Sequence, residues 1–90
     1  MHNNEYICRI CGYQDGSIRW GSCNHTLCPH YIICNCCGVE SGLQDSWAEG
    51  IKNYRNKWLN QGARWFNEKF KPENWDLEKQ LVQIPDKYKL

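Results

Sequence analysis

One phrase is written twice in this chain. Residues 7–12 read Ile-Cys-Arg-Ile-Cys-Gly, and residues 33–38 read Ile-Cys-Asn-Cys-Cys-Gly. A two-residue gap between cysteines lets one tight turn aim both sulfurs at one ion. Two such turns from distant parts of the chain supply the four corners of a tetrahedron. Cys8, Cys11, Cys34 and Cys37 are therefore the expected ligands of one structural Zn2+. Gly12 and Gly38 follow the second cysteine of each pair, where glycine accommodates the positive φ of the turn. Cys36 is an alternative fourth ligand through a Cys-x-Cys bite, and the matching glycine favours Cys37. Four cysteines leave no open coordination position, so such a site supports structure and not catalysis.

The need for such a staple follows from size. A chain of 90 residues buries only about 60–65% of its unfolded surface, and chains this small commonly add a metal or disulfides. Seven cysteines supply the means. An odd count argues against a purely disulfide framework. Residues 1–20 carry no apolar signal segment, and no stretch approaches the roughly 20 apolar residues of a membrane span. A cytoplasmic protein with reduced thiols is expected, which favours zinc over disulfides.

A second cluster lies between the two phrases: Cys23, His25, Cys28 and His30. Four metal-ligating side chains within eight residues suggest a second metal. A loop this tight rarely wraps all four vertices, so a polar loop with two thiols, or a Cys23–Cys28 disulfide, stands beside that reading.

The composition changes near Asp45. Before it lie all seven cysteines, five of the seven glycines and all three histidines; after it lie four of the five tryptophans. A single domain, residues 1–90, is expected, with a zinc-ribbon-like half over 1–45 and a helical half over 46–85. In the first half, Glu5–Cys8 and Tyr31–Cys34 read as short strands entering the knuckles. Asp15-Gly16 reads as a hairpin turn with Ser17–Trp20 returning, and Gly21–His30 reads as a loop. In the second half, Ser46 and Glu49 form a capping box. Trp47, Ile51, Tyr54 and Trp58 then share one helix face. Gly50 within it allows close packing, and Gly62 is the left-handed stop after Gln61. Ala63–Phe70 reads as a turn or a short helix. Asn74 caps a second helix with Leu77, Leu81 and Ile84 on one face, and Pro85 ends it. The last five residues are polar and expected to fray. The fold class is α+β: a small zinc-ribbon-like β platform followed by two or three packed helices.

Charge separates the halves. Residues 1–45 hold two Arg against four Asp/Glu, a balance of −2; residues 46–90 hold nine Lys/Arg against six Asp/Glu, a balance of +3. Four thiolates around one divalent cation add −2 to the first half. Nucleic-acid binding needs a basic track interleaved with aromatics. Here Arg9 and Arg19 are the first half's only cations, and Lys52, Arg55 and Lys57 are spread around the first helix. A nucleic-acid-associated zinc ribbon is thus the alternative and not the leading reading. No nucleophile elbow, phosphate loop or HExxH occurs, and Glu73 with Asp76 reads as a helix start, so no enzyme is expected. Trp65 and Phe66 are adjacent and cannot easily share a face, which leaves one aromatic for a protein partner.

The order CxxCG at Cys8–Gly12, Trp20-Gly21, ICxCCGxE at Ile33–Glu40, YRxxWLxxGxxWF at Tyr54–Phe66 and KPxxWxxxxQL at Lys71–Leu81 resembles a bacterial family of small cysteine-rich, zinc-ribbon-like proteins. Some of its members look like immunity proteins encoded beside polymorphic toxins. The segment Cys23–His30 departs from that pattern, whose loop is cysteine-poor and rich in Gly and Pro. The resemblance implies a non-catalytic protein-binding module that neutralises a toxin domain. With the charge pattern, it places Glu40, Asp45, Trp65 and Phe66 toward the partner, the acidic half facing a basic cleft.

Overall fold

A computed structural model describes residues 4–90. The described chain is α+β. Strands β1 (Trp20–Cys23) and β2 (Thr26–Pro29) form one antiparallel hairpin, followed by helix α1 (Ala48–Asn60) and helix α2 (Leu77–Val82). Short 3-10 turns lie at Gln44–Ser46, Glu68–Phe70 and Asp86–Tyr88.

The hairpin lies in the segment read as a loop. Its register pairs Trp20 with Pro29 and Cys23 with Thr26. That leaves Asn24 and His25 as a two-residue turn, with φ 44° and 69°. Positive φ at both central residues is the type I′ geometry that matches strand twist. The turn chemistry hides from a reading of sequence because His25 stands where Gly is usual. The strands expected at Glu5–Cys8 and Tyr31–Cys34 shrink to isolated bridges, Glu5 with Trp20 and Ile33 with Glu40. The knuckles take up the rest of those segments. The strand expected over Ser17–Trp20 begins only at Trp20.

Helix α1 starts one step later than a Ser46 cap requires. Ser46 closes a 3-10 turn, and Trp47 is the N-cap residue in extended conformation, with no side-chain cap. Trp47 therefore falls outside the helical face and is 58% exposed. Its indole lies across Gly50, where an added Cβ would meet the Gln44 carbonyl and sit 2.9 Å from the Trp47 ring. The inward face of α1 is Gly50, Ile51, Arg55 and Trp58. The helix ends in a Schellman motif: the Gly62 amide donates to the Leu59 carbonyl (3.1 Å) and the Ala63 amide to the Trp58 carbonyl (2.9 Å). Gly62 has φ 96°, as the sequence predicts. Helix α2 is capped by Asp76, whose carboxylate accepts from the Lys79 amide at 3.2 Å, and not by Asn74.

The apolar cluster unites both halves. Cys8, Ile10, Cys11, Cys34, Cys36, Cys37 and Val39 pack with Ile51, Trp58, Ala63 and Trp65. Tyr13, Trp75, Leu77, Leu81 and Tyr88 cover it. Trp65 stands edge-on to Tyr13 at 5.2 Å and to Trp75 at 5.5 Å. The C-terminal residues expected to fray instead form a 3-10 turn. There the Tyr88 hydroxyl donates to Glu5 Oε2 at 2.7 Å.

Candidate metal centre

The two written phrases fold alike. In the first, the Gly12 amide donates to the Cys8 carbonyl (3.0 Å) and the Cys8 amide to the Tyr13 carbonyl (2.9 Å). In the second, the Gly38 amide donates to the Cys34 carbonyl (2.9 Å) and the Cys34 amide to the Val39 carbonyl (2.8 Å). Gly12 and Gly38 have φ 85° and 83°, a region that L side chains reach only with strain. Sequence repetition has become structural repetition.

The two knuckles bring their sulfurs together. Cys8, Cys11, Cys34 and Cys37 are all buried, with their Sγ atoms within 4.8 Å of one another. The shortest separations are 3.6 Å for Cys8–Cys37 and 3.6 Å for Cys11–Cys34. A tetrahedron with metal–sulfur arms of about 2.3 Å has edges of about 3.8 Å. The quartet matches that size, so the residues present fit a four-thiolate metal ion. The chemistry of the donors agrees. Burial pushes the Cys11 and Cys37 thiols well above the ordinary thiol range, while S–H donation from Cys11, Cys37 and Cys8 drives Cys34 far below it. Crowded sulfurs repel further negative charge on one another, and a cation at their centre offsets that repulsion.

Helical side chains clamp each knuckle from behind. Arg55 of α1 donates through Nε to the Ile10 carbonyl (2.6 Å) and through Nη2 to the carbonyls of Arg9 (2.6 Å) and Tyr88 (2.7 Å). Gln80 of α2 donates to the Cys11 carbonyl (3.1 Å) and to Cys36 Sγ (3.2 Å). Its carbonyl is held in turn by the Trp75 indole N–H at 2.7 Å. The Tyr54 hydroxyl donates to the Cys37 carbonyl at 3.0 Å; burial, then the nearby cysteines, raises its pKa to about 12. The amides of Phe66 and Asn67 donate to the carbonyls of Cys36 (2.8 Å) and Asn35 (2.9 Å). Such partners orient ligands in metal sites generally. Cys36 is thus outside the quartet, a buried thiol held by Gln80. Arg55 and Gln80 carry no periodicity signal that separates them from solvated helix residues, and sequence reasoning missed both.

The second cysteine–histidine cluster does not converge. Among the described residues the quartet is the one group of three or more metal-ligating side chains within reach of a common ion. Cys23 and Cys28 pair across the hairpin as a disulfide with a Cα separation of 6.0 Å. His25 occupies the exposed turn, and the His30 ring packs against the Gly21 backbone. Among the described residues the two cysteines and two histidines of this segment form no common metal-ligand group, and the Cys23–Cys28 disulfide named beside that reading is the arrangement present.

The four residues expected at a partner surface separate. Asp45 is buried, accepting from the Trp20 indole N–H (2.9 Å) and the Gly42 amide (2.8 Å). It pins the 3-10 turn before α1 and cannot face a partner. Trp65 is core. Glu40 is half-buried beside Ile33. Phe66 is 64% exposed and lies over Gly38. Arg9, counted as a ribbon cation, is also buried. Its guanidinium chelates the Glu5 carboxylate at 2.8 and 3.2 Å, between the rings of Trp20 (3.9 Å) and Tyr88 (4.4 Å).

Fold and site together define a class: a small α+β protein organised by a buried four-cysteine knuckle pair that can hold a structural metal. Compared with protein-family models, curated proteins and solved structures, the chain finds no match in any of the three. Among the described residues no helix is long and apolar enough to cross a membrane.

Proposed function

We propose that this protein is a non-catalytic protein-binding module built on one structural Zn2+ held by Cys8, Cys11, Cys34 and Cys37. Zinc is the choice because it accepts four thiolates in a tetrahedron without redox chemistry of its own. The observation that carries the reading is a saturated, buried donor set beneath an exposed aromatic. Four thiolates leave no coordination position for a substrate. Phe66 is held over the second knuckle by its own backbone bond to Cys36 and still faces solvent. A large aromatic fixed on a rigid base suits a protein interface.

The sharper form is an immunity protein that neutralises a bacterial toxin domain in the cytoplasm. It rests on the motif order from Cys8 to Leu81 and on the net negative balance of the first half. Burial of Asp45 takes one carboxylate out of the steering field, so Phe66 and Glu40 carry the proposed contact. Burial of Arg9 and Arg19 also removes both of that half's cations from any phosphate backbone, which favours a protein partner over nucleic acid. Co-purification with the product of the adjacent gene tests the reading. A complex that Phe66→Glu disrupts, in protein carrying one zinc per chain, is the expected result. Absence of a complex, together with tight and steeply salt-dependent binding of RNA or DNA, would transfer the assignment to the nucleic-acid alternative.

A further inference from the structure

The segments that flank the second knuckle form a short ladder with two faces. The Cys34 amide donates to the Val39 carbonyl (2.8 Å) and the Ser41 amide to the Ile32 carbonyl (2.9 Å), and Ile33 stands opposite Glu40. Side chains alternate across such a ladder. Cys34, Val39 and Ser41 are buried, so Ile33 and Glu40 share the outer face. That face continues along the chain. The Tyr31 ring lies on Gly42, where an added Cβ would sit 2.7 Å from it. Leu43 follows, and its carbonyl accepts from the amide of Ser46 (3.2 Å), the residue before Trp47. Tyr31, Ile33, Leu43 and Trp47 are between 45% and 60% exposed. Single exposed apolar residues are ordinary, whereas several large ones linked in this way mark an interaction surface.

Charge selects the kind of partner. No Lys or Arg occurs between Arg19 and Lys52, and Arg19 itself is buried. Glu40 stands within the surface, and Glu49 is exposed in the first turn of α1, just beyond Trp47. A phosphate backbone or an anionic lipid surface is held by cations, which this stretch of chain lacks. A second copy docked symmetrically would set Glu40 against Glu40, and like charges brought together cost affinity. We propose that Tyr31, Ile33, Leu43 and Trp47 form the docking surface for a protein partner that presents Lys or Arg side chains around an apolar centre. The inference rests on the protein-binding reading above and deepens it. The surface continues the contact given there to Phe66 and Glu40, since Phe66 lies over Gly38 of the same knuckle. The aromatic and aliphatic side chains supply the anchor. The carboxylates steer the approach and fix its orientation.

The probe is the purified product of the adjacent gene, its binding to the full chain followed by surface plasmon resonance at low and at moderate salt. Circular dichroism and metal content are first matched between wild type and variants, so that only folded chains are compared. Leu43→Ser and Ile33→Thr, both at exposed positions, should each weaken binding by about fivefold or more, mainly through faster dissociation. Glu40→Lys should slow association by about threefold or more, with the larger effect at low salt. A complex that Phe66→Glu disrupts but that Leu43→Ser and Ile33→Thr leave unchanged overturns this docking surface and leaves the protein-binding reading standing. Tighter binding by Glu40→Lys overturns the basic partner in the same way. No complex with the wild-type chain overturns both the surface and the reading it rests on.

Discussion

Two buried arginines sit in opposite circumstances. Arg55 spends its guanidinium on three carbonyls, two of them in the first knuckle, and burial lowers its pKa. Arg19 is 3% exposed, yet none of its three side-chain nitrogens has a hydrogen-bond partner among the described residues. Among the described residues its ionic neighbour is Asp15 at 3.7 Å. Losing Arg55 strands carbonyls that accept from no other protein donor among the described residues, and hydrogen bonds to a charged donor are worth about 1.5–3 kcal/mol each. Arg55→Met should therefore cost about 3 kcal/mol or more of stability. Replacing a buried, poorly paired charge with an apolar side chain is often neutral or stabilising. Arg19→Met should accordingly shift stability by less than about 1 kcal/mol, or raise it. Denaturant unfolding of the metal-loaded variants reads both; equal losses would show that Arg19 has a role the geometry does not give it.

At the scale of elements, glycine positions separate two kinds of turn. Gly12 and Gly62 both have positive φ, 85° and 96°. Around Gly62 a Cβ meets open space, whereas at Gly12 it would fall on the backbone carbonyl of Gln80 and within 3.2 Å of Ile84. Gly62 answers to local conformation alone; Gly12 also lets α2 lie against a knuckle. Gly62→Ala should cost about 1–2 kcal/mol, the left-handed penalty. Gly12→Ala adds an overpacking cost of about 1–3 kcal/mol and should loosen α2. Thermal melts give the difference, and amide exchange at Leu81 and Val82 gives its location. Equal effects at the two positions would mean that α2 yields without cost.

Across the whole molecule, the four-cysteine site and the helices depend on one another. The hairpin is small, α2 has six residues, and short helices are marginal in water without packing. Arg55, Gln80 and Tyr54 reach from the helices to the knuckles, and Tyr88 ties the C-terminal turn to Glu5. Metal binding in small domains contributes about 10–16 kcal/mol of apparent folding energy. Removing the metal with a strong chelator under reducing conditions should therefore unfold both halves in one transition. Far-ultraviolet circular dichroism should follow α1 and tryptophan fluorescence the core, with coincident curves. Retention of α1 after the metal is gone would show that the helical half stands alone.

The repeated CxxCG phrase was sufficient to read the four-cysteine set, because two sulfurs at that spacing and a glycine for the turn are local chemistry. The α+β class, the stop at Gly62 and the exposure of one of Trp65 and Phe66 were legible for the same reason: each follows from neighbours within a few residues. Other features needed the folded chain. A hairpin turning on Asn24 and His25 has no glycine to announce it. The exclusion of Cys36 depends on Gln80, 44 residues away. Asp45, Arg9 and Arg55 look like surface charges until the indole, carboxylate and carbonyls that receive them are in place. Buried polar groups take their partners from distant segments, so tertiary structure alone decided which charges the core keeps and which of the five buried thiols converge.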